Sequence, residues 1–347
     1  MPVDSLGFLG VVEGLPEQLA TAHEQATMTL DRAPLPHADQ IDNIAVLGMG
    51  GSGIAGDVLR AVASSLPVPI VVLKQIRVPA FIGPRTLAFA VSYSGNTEET
   101  NAMAAGALDA GARVIAVTSG GELGALAASR GAVHVPCADG YVMPRAAVGA
   151  LVAPLFMALF HVGLYPEAHA LLMQAQAQLK HRSDQCRPDA GPANPARELA
   201  RRIGRSIPLI YGGGALGAVA AYRWKCDINE NAKAPAFTAA YPELDHNEIC
   251  GWGQHGDVTR QVMTLVSLRH GFEDERLSTR IDRTTEIIDE ALLQVLEVQA
   301  EGEGRLGQLL DLMYLGDWAS YYLALDNDVD PGPIDAITQL KAAVAAD

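Results

Sequence analysis

The sequence predicts an α/β protein of two similar halves, each a parallel sheet flanked by helices in a three-layer αβα arrangement. Three observations predict it. Apolar runs of strand length alternate with segments of helical length from about Ile41 onward, the pattern of βα units feeding a parallel sheet. Turns rich in glycine and hydroxyl residues stand where a strand runs into a helix. The strand–glycine–helix pattern then restarts after a polar, proline-bearing stretch, Ser183-Asp184-Gln185-Cys186-Arg187-Pro188-Asp189-Ala190-Gly191-Pro192, which reads as a domain boundary.

In order, the expected strands of the first half are Ile44–Leu47, Val68–Leu73, Leu87–Val91, Arg113–Val117 and Ala132–Val135. Segments of helical length such as Thr97–Asp109 lie between them, and helices over Arg145–Gly163 and Glu167–His181 close that half. In the second half Ile207–Tyr211 is a strand, and Gly212-Gly213-Gly214 opens a helix from about Ala215 to Asn231. Further strands at Val262–Leu268 and Leu293–Val298 bracket a helix near Thr279–Glu290, and helices near Gly307–Leu325 and Pro333–Ala345 finish the chain. The division this implies is an N-terminal helical segment over 1–40, a first domain over 41–182, a linker over 183–196 and a second domain over 197–347. The segment 1–40 is punctuated by proline and carries no motif.

Composition bounds the function. The 347 residues suffice for about two domains, and an apolar fraction of 49% supports large cores. With 25 basic against 40 acidic residues the net charge is -15, which argues against a nucleic-acid footprint; an anionic small molecule remains open, because local donors decide that. Cys137, Cys186, Cys226 and Cys250 are scattered with no C-x-x-C spacing, so zinc and redox-motif readings are weak. No basic segment followed by a long apolar one opens the chain, and no uninterrupted apolar stretch reaches about 18 residues. A reducing cytoplasm, with no membrane partner, fits these features.

The two turns of the first half are the most informative segments. Gly48-Met49-Gly50-Gly51-Ser52-Gly53 follows the run Ile44–Leu47, and Ser92-Tyr93-Ser94-Gly95-Asn96-Thr97 follows Leu87–Val91. Glycine lets backbone approach a ligand closely, and helix N-termini offer free N–H groups and the positive end of a dipole to an anion. Hydroxyls add donors and neither turn carries a lysine, so the pair reads as a seat for a sugar phosphate. Ordinary N-capping by Ser94, Asn96 or Thr97, with Glu98 and Glu99 in the first helical turn, is the plain alternative. Capping does not explain two hydroxyls placed before the helix beside a tight glycine. Gly48-x-Gly50-x-x-Gly53 also matches a dinucleotide fingerprint, whose discriminator is an acidic residue at the end of the next strand. That strand ends in Lys74, which removes the ribose carboxylate and leaves only a phosphorylated ribose open.

Reactive residue types gather in the second half. Glu230 lies near the C-terminus of the helix after Gly214, one turn from Asp227; the negative end of the dipole there raises a carboxylate's proton affinity, as a general base needs. A solvated helix-end glutamate is the plainer reading. His246 stands in the polar segment Tyr241–Ile249, one of nine histidines, without metal-ligand spacing around it. Arg145 opens a helix, where the dipole disfavours a cation, and an anionic partner would explain it. Lys341 lies in the last helix among Ile337, Leu340 and Val344, by itself an ordinary amphipathic lysine.

Together Gly48–Gly53, Ser92–Thr97, Pro144-Arg145-Ala146-Ala147, Asn229-Glu230-Asn231-Ala232-Lys233 and His246-Asn247-Glu248 resemble the bifunctional phosphoglucose/phosphomannose isomerases, a family built of two sugar-isomerase (SIS) domains. The match keeps the same order from about residue 40 to the C-terminus. The resemblance implies that Gly51, Ser52, Ser92, Ser94 and Thr97 bind the phosphate of a hexose 6-phosphate. It implies that Glu230 moves a proton between C2 and C1, that His246 and Lys341 assist ring opening, and that Arg145 stabilises the enediolate. It also implies a homodimer in which each His246 serves the neighbouring subunit, with no cofactor. The chemistry suits the residue types: one carboxylate can take and return the proton on a single face of a cis-enediolate, and a guanidinium fork suits the developing oxyanion. No metal is required, and the ligand clusters of zinc-dependent mannose phosphate isomerases are absent from the sequence. SIS folds also host phosphosugar-binding regulators, and a regulator or weakly active paralogue is the alternative. A regulator needs the phosphate seat but not Glu230, His246 and Lys341, and would bring a basic DNA-binding helix that this chain lacks.

Overall fold

A computed structural model describes residues 3–138, 140–141 and 143–346. In chain order the elements are α1 (Phe8–Glu13), α2 (Leu15–Leu30), β1 (Asn43–Leu47), α3 (Gly50–Val62), β2 (Ile70–Leu73), β3 (Thr86–Val91), α4 (Glu98–Asp109), β4 (Arg113–Thr118), α5 (Gly121–Arg130) and β5 (Val133–Pro136). A short 3-10 turn over Pro144–Ala147 leads to α6 (Val148–His161), α7 (Ala168–Cys186) and α8 (Pro195–Ile203). Then come β6 (Ile207–Gly213), α9 (Gly214–Asn231), β7 (Phe237–Tyr241), α10 (Gly256–Val262), β8 (Met263–Arg269), α11 (Glu275–Ile288), β9 (Gln294–Gln299), α12 (Gly304–Asp326) and α13 (Asp335–Ala346). The chain divides into two units. Gly14–His181 with Glu301–Leu310 make the first, and Met1–Glu13, Arg182–Ala300 and Asp311–Asp347 make the second.

The first unit is built on a five-stranded, all-parallel sheet in the order β2-β1-β3-β4-β5. Its middle strands read as continuous apolar runs because helices cover both faces: every residue of β3 is buried, and so is Ile44–Leu47 of β1. The strand order reverses between β1 and β3. In such sheets the chain leaves β1 and β3 toward opposite faces, and a crevice opens at their carboxyl ends. Both glycine–hydroxyl turns begin there. Pro144–His161 has the length and apolarity to cross a membrane, but 83% of it is buried inside the fold, so its apolarity is that of a core helix.

The second unit repeats the plan with four parallel strands in the order β7-β6-β8-β9. Leu209, Tyr211, Leu265, Ile281 and Ile288 lie in one buried cluster between the sheet and α11. On the other side α9 meets α12 closely. Trp224 is fully buried and donates its indole N–H to Leu312 O at 2.6 Å, and Gly316 makes room for it: a Cβ at 316 would stand 2.5 Å from Trp224 Cδ1.

The expected elements are found within a few residues, with differences at the linker, at β7, at α8 and at the short helix α10, which was also not expected. The stretch read as a linker is in part helical, since α7 continues through Cys186. Buried Asn194 organises the rest of that stretch: its Oδ1 accepts the Arg197 amide at 3.0 Å as the cap of α8, and its Nδ2 donates to Cys186 O at 2.6 Å. Strand β7 was not anticipated, because Phe237-Thr238-Ala239-Ala240-Tyr241 is alanine-rich and half-exposed at a sheet edge. Nor was α8, whose nine residues fall inside a segment dominated by charge.

Candidate functional site

The turn after β1 is shaped by close packing. Met49 is extended, Gly50 takes a left-handed φ of +48°, and the Ser52 and Gly53 amides then donate to Met49 O at 3.0 and 2.9 Å. A Cβ on Gly53 would stand 2.7 Å from Gly48 O, and one on Gly48 would stand 3.0 Å from Val91 O. The glycines at 48 and 53 are therefore explained by contact between α3, β1 and β3. Gly51 has a different neighbour: its Cβ would meet Arg145 Cα and N, both at 2.8 Å. The start of α3 thus lies backbone to backbone against the 3-10 turn that carries Arg145, a residue only 3% exposed.

The turn after β3 answers the capping alternative. Thr97 occupies the N-cap position of α4, yet its side chain caps nothing; Thr97 Oγ1 pairs instead with Ser92 Oγ at 2.9 Å. Ser94 Oγ accepts the Asn96 amide at 3.3 Å, and Asn96 Oδ1 accepts the Glu122 amide at 3.1 Å. Ser52 Oγ accepts the Tyr93 amide at 3.2 Å, which leaves the Ser52 O–H to donate elsewhere. Gly95, at φ +70°, is forced by space, since a Cβ would lie 1.9 Å from Gly120 O. At the strand-order reversal two helix starts without side-chain caps therefore stand together, and Gly51, Ser52, Ser92, Ser94 and Thr97 belong to the turns that open them. Such an arrangement offers N–H and O–H donors, and the ends of two helix dipoles, to one anion. Lys74, the residue a phosphorylated ribose would need, puts its Nζ 2.5 Å from Asp57 Oδ2 on α3.

In the second unit Glu230 sits half-buried in the last turn of α9 on the wall of a cavity of about 640 Å³. Asn229, Glu230 and Lys233 form one side, and Val329, Asp330 and Pro333–Ile337 the other. Lys233, at a left-handed φ of +52°, joins the two sides. Its Nζ donates to Glu230 O at 2.8 Å, to Asp330 O at 2.7 Å and to Pro331 O at 3.2 Å, satisfying a terminal helix carbonyl. Two turns back from Glu230, buried Arg223 lies between Asp227 (Nε to Oδ2, 2.8 Å) and Asp317 of α12 (Nη2 to Oδ1, 2.7 Å). Burial pushes the Asp227 carboxyl well up and the guanidinium of Arg223 opposes that rise, while Asp317 adds to it. Asn231 Nδ2 donates to Ser320 Oγ at 2.9 Å, so the helix end beneath Glu230 is fixed by buried polar pairs.

His246 and Lys341 do not line this cavity. Lys341 is exposed on α13, one turn beyond Ile337 and on the same face. His246 is exposed in the 3-10 turn after β7. Because β7 runs parallel to β6, with Tyr241 opposite Gly213, His246 belongs to the carboxyl edge of the sheet. Glu230 is 16 residues along α9 from Gly214, about 24 Å down the helix at 1.5 Å per residue, and belongs to the amino edge. The structure therefore brings Gly51 of the first glycine–hydroxyl turn against Arg145, places Glu230 on the wall of a cavity, and sets His246 at the opposite edge of the second sheet from Glu230. Sequence reasoning did not single out Lys233, although its place just past the end of a helix was a usable signal. Nor did it extend the one-turn spacing of Asp227 and Glu230 back to Arg223, which lies on the same face of α9.

Comparison with known proteins agrees with this architecture. Residues 192–344 match the family described as "Bacterial phospho-glucose isomerase C-terminal SIS domain". The chain is 33% identical over 339 residues to the bifunctional phosphoglucose/phosphomannose isomerase of Caldicellulosiruptor bescii, covering 96% of this chain and 98% of the relative. It is 34% identical to the protein of that name from Thermoplasma acidophilum, covering 87% and 90%. A hypothetical protein from Thermus thermophilus shares the fold with a TM-score of 0.74 at 18% identity, over 98% of this chain and 90% of that one. The chain belongs to the family of bifunctional phosphoglucose/phosphomannose isomerases.

Proposed function

We propose that this protein is a sugar-phosphate isomerase that interconverts glucose 6-phosphate, mannose 6-phosphate or both with fructose 6-phosphate, without a metal ion. The observation that carries the reading is the Ser92–Thr97 hydroxyl pair, which leaves α4 uncapped by a side chain at the reversal of strand order. In this reading Gly51, Ser52, Ser92, Ser94 and Thr97 hold the phosphate. The Glu230 carboxylate takes the proton from C2 of the open-chain aldose, giving the cis-enediolate, and returns it to C1. Arg145 faces the oxyanion that develops, and His246 and Lys341 serve ring opening. Membership of the family, with Glu230, His246 and Lys341 all in place, supports an enzyme over a binding-only regulator.

We further propose a homodimer in which His246 acts in the neighbouring subunit. The support is the polarity of the second sheet, which puts Glu230 and His246 at opposite edges within one chain.

The test is a coupled assay of the purified protein with EDTA, on mannose 6-phosphate and glucose 6-phosphate separately, beside Glu230→Gln. Fructose 6-phosphate from either sugar is expected, and the variant should keep sugar-phosphate binding while losing turnover by several orders of magnitude. Near-native rates in Glu230→Gln would remove Glu230 as the base. Binding without turnover in the native protein would return the reading to a phosphosugar sensor.

A further inference from the structure

Tyr93 stands between the two serines of the phosphate turn but is itself 8% exposed, and its polar groups reach three other loops. Its amide donates to Ser52 Oγ in the turn after β1 at 3.2 Å. Its carbonyl accepts from Ser119 N at 2.9 Å, Ser119 Oγ at 2.8 Å and Thr118 Oγ1 at 3.3 Å, after β4. Its phenol oxygen accepts the Tyr141 amide at 2.8 Å and donates to Ala138 O at 3.4 Å, in the chain between β5 and the Arg145 turn. The two tyrosine rings lie 5.7 Å apart at 49°, so the ring is braced as well as bonded. The Tyr141 bond has good length, whereas the contact to Ala138 is long and weak.

The placement matters because Arg145 is reached from both sides. On one side Gly51 fits against its backbone without room for a Cβ. On the other, the Tyr141 amide, four residues before Arg145, is anchored on Tyr93. One residue of the phosphate turn thereby connects the hydroxyls to the segment that delivers the guanidinium. We propose that Tyr93 is a positioning residue, whose phenol oxygen holds the backbone at Tyr141 and Ala138 and thereby the place of Arg145 beside the phosphate seat. This rests on the reading of Arg145 as the partner of the developing oxyanion.

Tyr93→Phe keeps the ring and removes only the oxygen. Its expected effect is a loss of kcat of about tenfold, since a misplacement of about 1 Å can remove up to a hundredfold. KM and the inhibition constant of inorganic phosphate should stay within about twofold, because the hydroxyls and helix starts are untouched. Arg145→Lys, which keeps the charge and loses the fork, should also lower kcat. In that background Tyr93→Phe should have little further effect, the mark of two residues acting through one interaction. Tyr141→Pro removes the donor from the other side and should repeat the kcat loss should Tyr93→Phe fold poorly. An unchanged kcat in Tyr93→Phe, or losses that multiply in the double variant, would overturn the positioning role. Undiminished kcat in Arg145→Lys would overturn the reading of Arg145 and this proposal with it. Glu230→Gln tests the isomerase assignment independently of both.

Discussion

Gly51→Ala separates what the proposed phosphate turn does for stability from what it does for chemistry. The new Cβ would lie 2.8 Å from both Arg145 Cα and Arg145 N, and 3.0 Å from Pro144 C. Comfortable separations between such atoms begin near 3.5 Å, so the two backbones must part by about 0.7 Å. Gly51 is not among the glycines with a left-handed φ, so alanine brings no dihedral strain, and in the first turn of α3 it gains up to about 1 kcal/mol of helix propensity. Overpacking opposes this by about 1–3 kcal/mol, leaving a net destabilisation of roughly 0–3 kcal/mol. The same displacement moves Arg145 by a good fraction of an ångström, enough for a loss of kcat of roughly tenfold to a hundredfold. The assay is steady-state turnover of mannose 6-phosphate and glucose 6-phosphate beside a thermal melt. Gly10→Ala is the control: Gly10 is exposed on α1 and a Cβ there meets nothing within 4 Å, so activity should hold while stability rises slightly. Gly51→Ala with turnover within twofold of native would refute the view that this contact places Arg145.

Two further outcomes follow from the same geometry. His23 is buried against His169, and burial first, then the charge on His169, hold its pKa below the ordinary value of 6.5. The unfolded chain therefore takes up this proton at a higher pH than the folded one, and stability should fall as pH drops below about 6.5; His23→Gln should flatten the melting temperature across that window, and an unchanged slope would count against it. Mixing Glu230→Gln with His246→Ala subunits should restore up to about a quarter of native activity if each site draws its glutamate and histidine from different chains, whereas no recovery on subunit exchange would place both residues in one chain.

Much of the fold was legible because its strands obey a strong rule. Central strands of a parallel sheet read as near-continuous apolar runs, so β1, β3, β6 and β8 announce themselves, while the edge strand β7 has no such constraint and its alanines hid it. The two glycine–hydroxyl turns were legible from residue type as features of the chain, but their inner logic was not. That Thr97 pairs with Ser92 and leaves α4 without a side-chain cap depends on a rotamer choice no local pattern encodes. The glycines at 48 and 53 were read as making room for a ligand, and the structure shows them also making room for each other. Tyr93 and Lys233 escaped notice for a shared reason. Each acts through hydrogen bonds to backbone atoms far along the chain, such as Tyr141 N and Asp330 O, and backbone partners leave no trace in residue identity.

The polarity of the second sheet also bears on why one chain would be insufficient for the proposed reaction. A helix following a parallel strand must run back antiparallel to it, so the start of α9 belongs to the carboxyl edge of the sheet and its end to the amino edge. Glu230 owes its cavity to that end: the backbone carbonyls of α9 draw in Lys233, and Lys233 draws in the chain at Asp330 and Pro331. His246 owes its exposure to the other end, where Asp245 turns inward to Thr284 Oγ1 at 2.7 Å and leaves its neighbour facing out. Moving either residue to the opposite edge would forfeit the contacts that fix it, and a helix cannot shorten by about 24 Å to bring them together. If Glu230 is the proton-transfer base and His246 the ring-opening residue, as proposed, a second copy that presents the missing edge would let the two meet on one sugar. A closed twofold pair does this with a single interface and yields two complete sites at once. The direction of the strands thus supports the proposed dimer alongside the residues they carry.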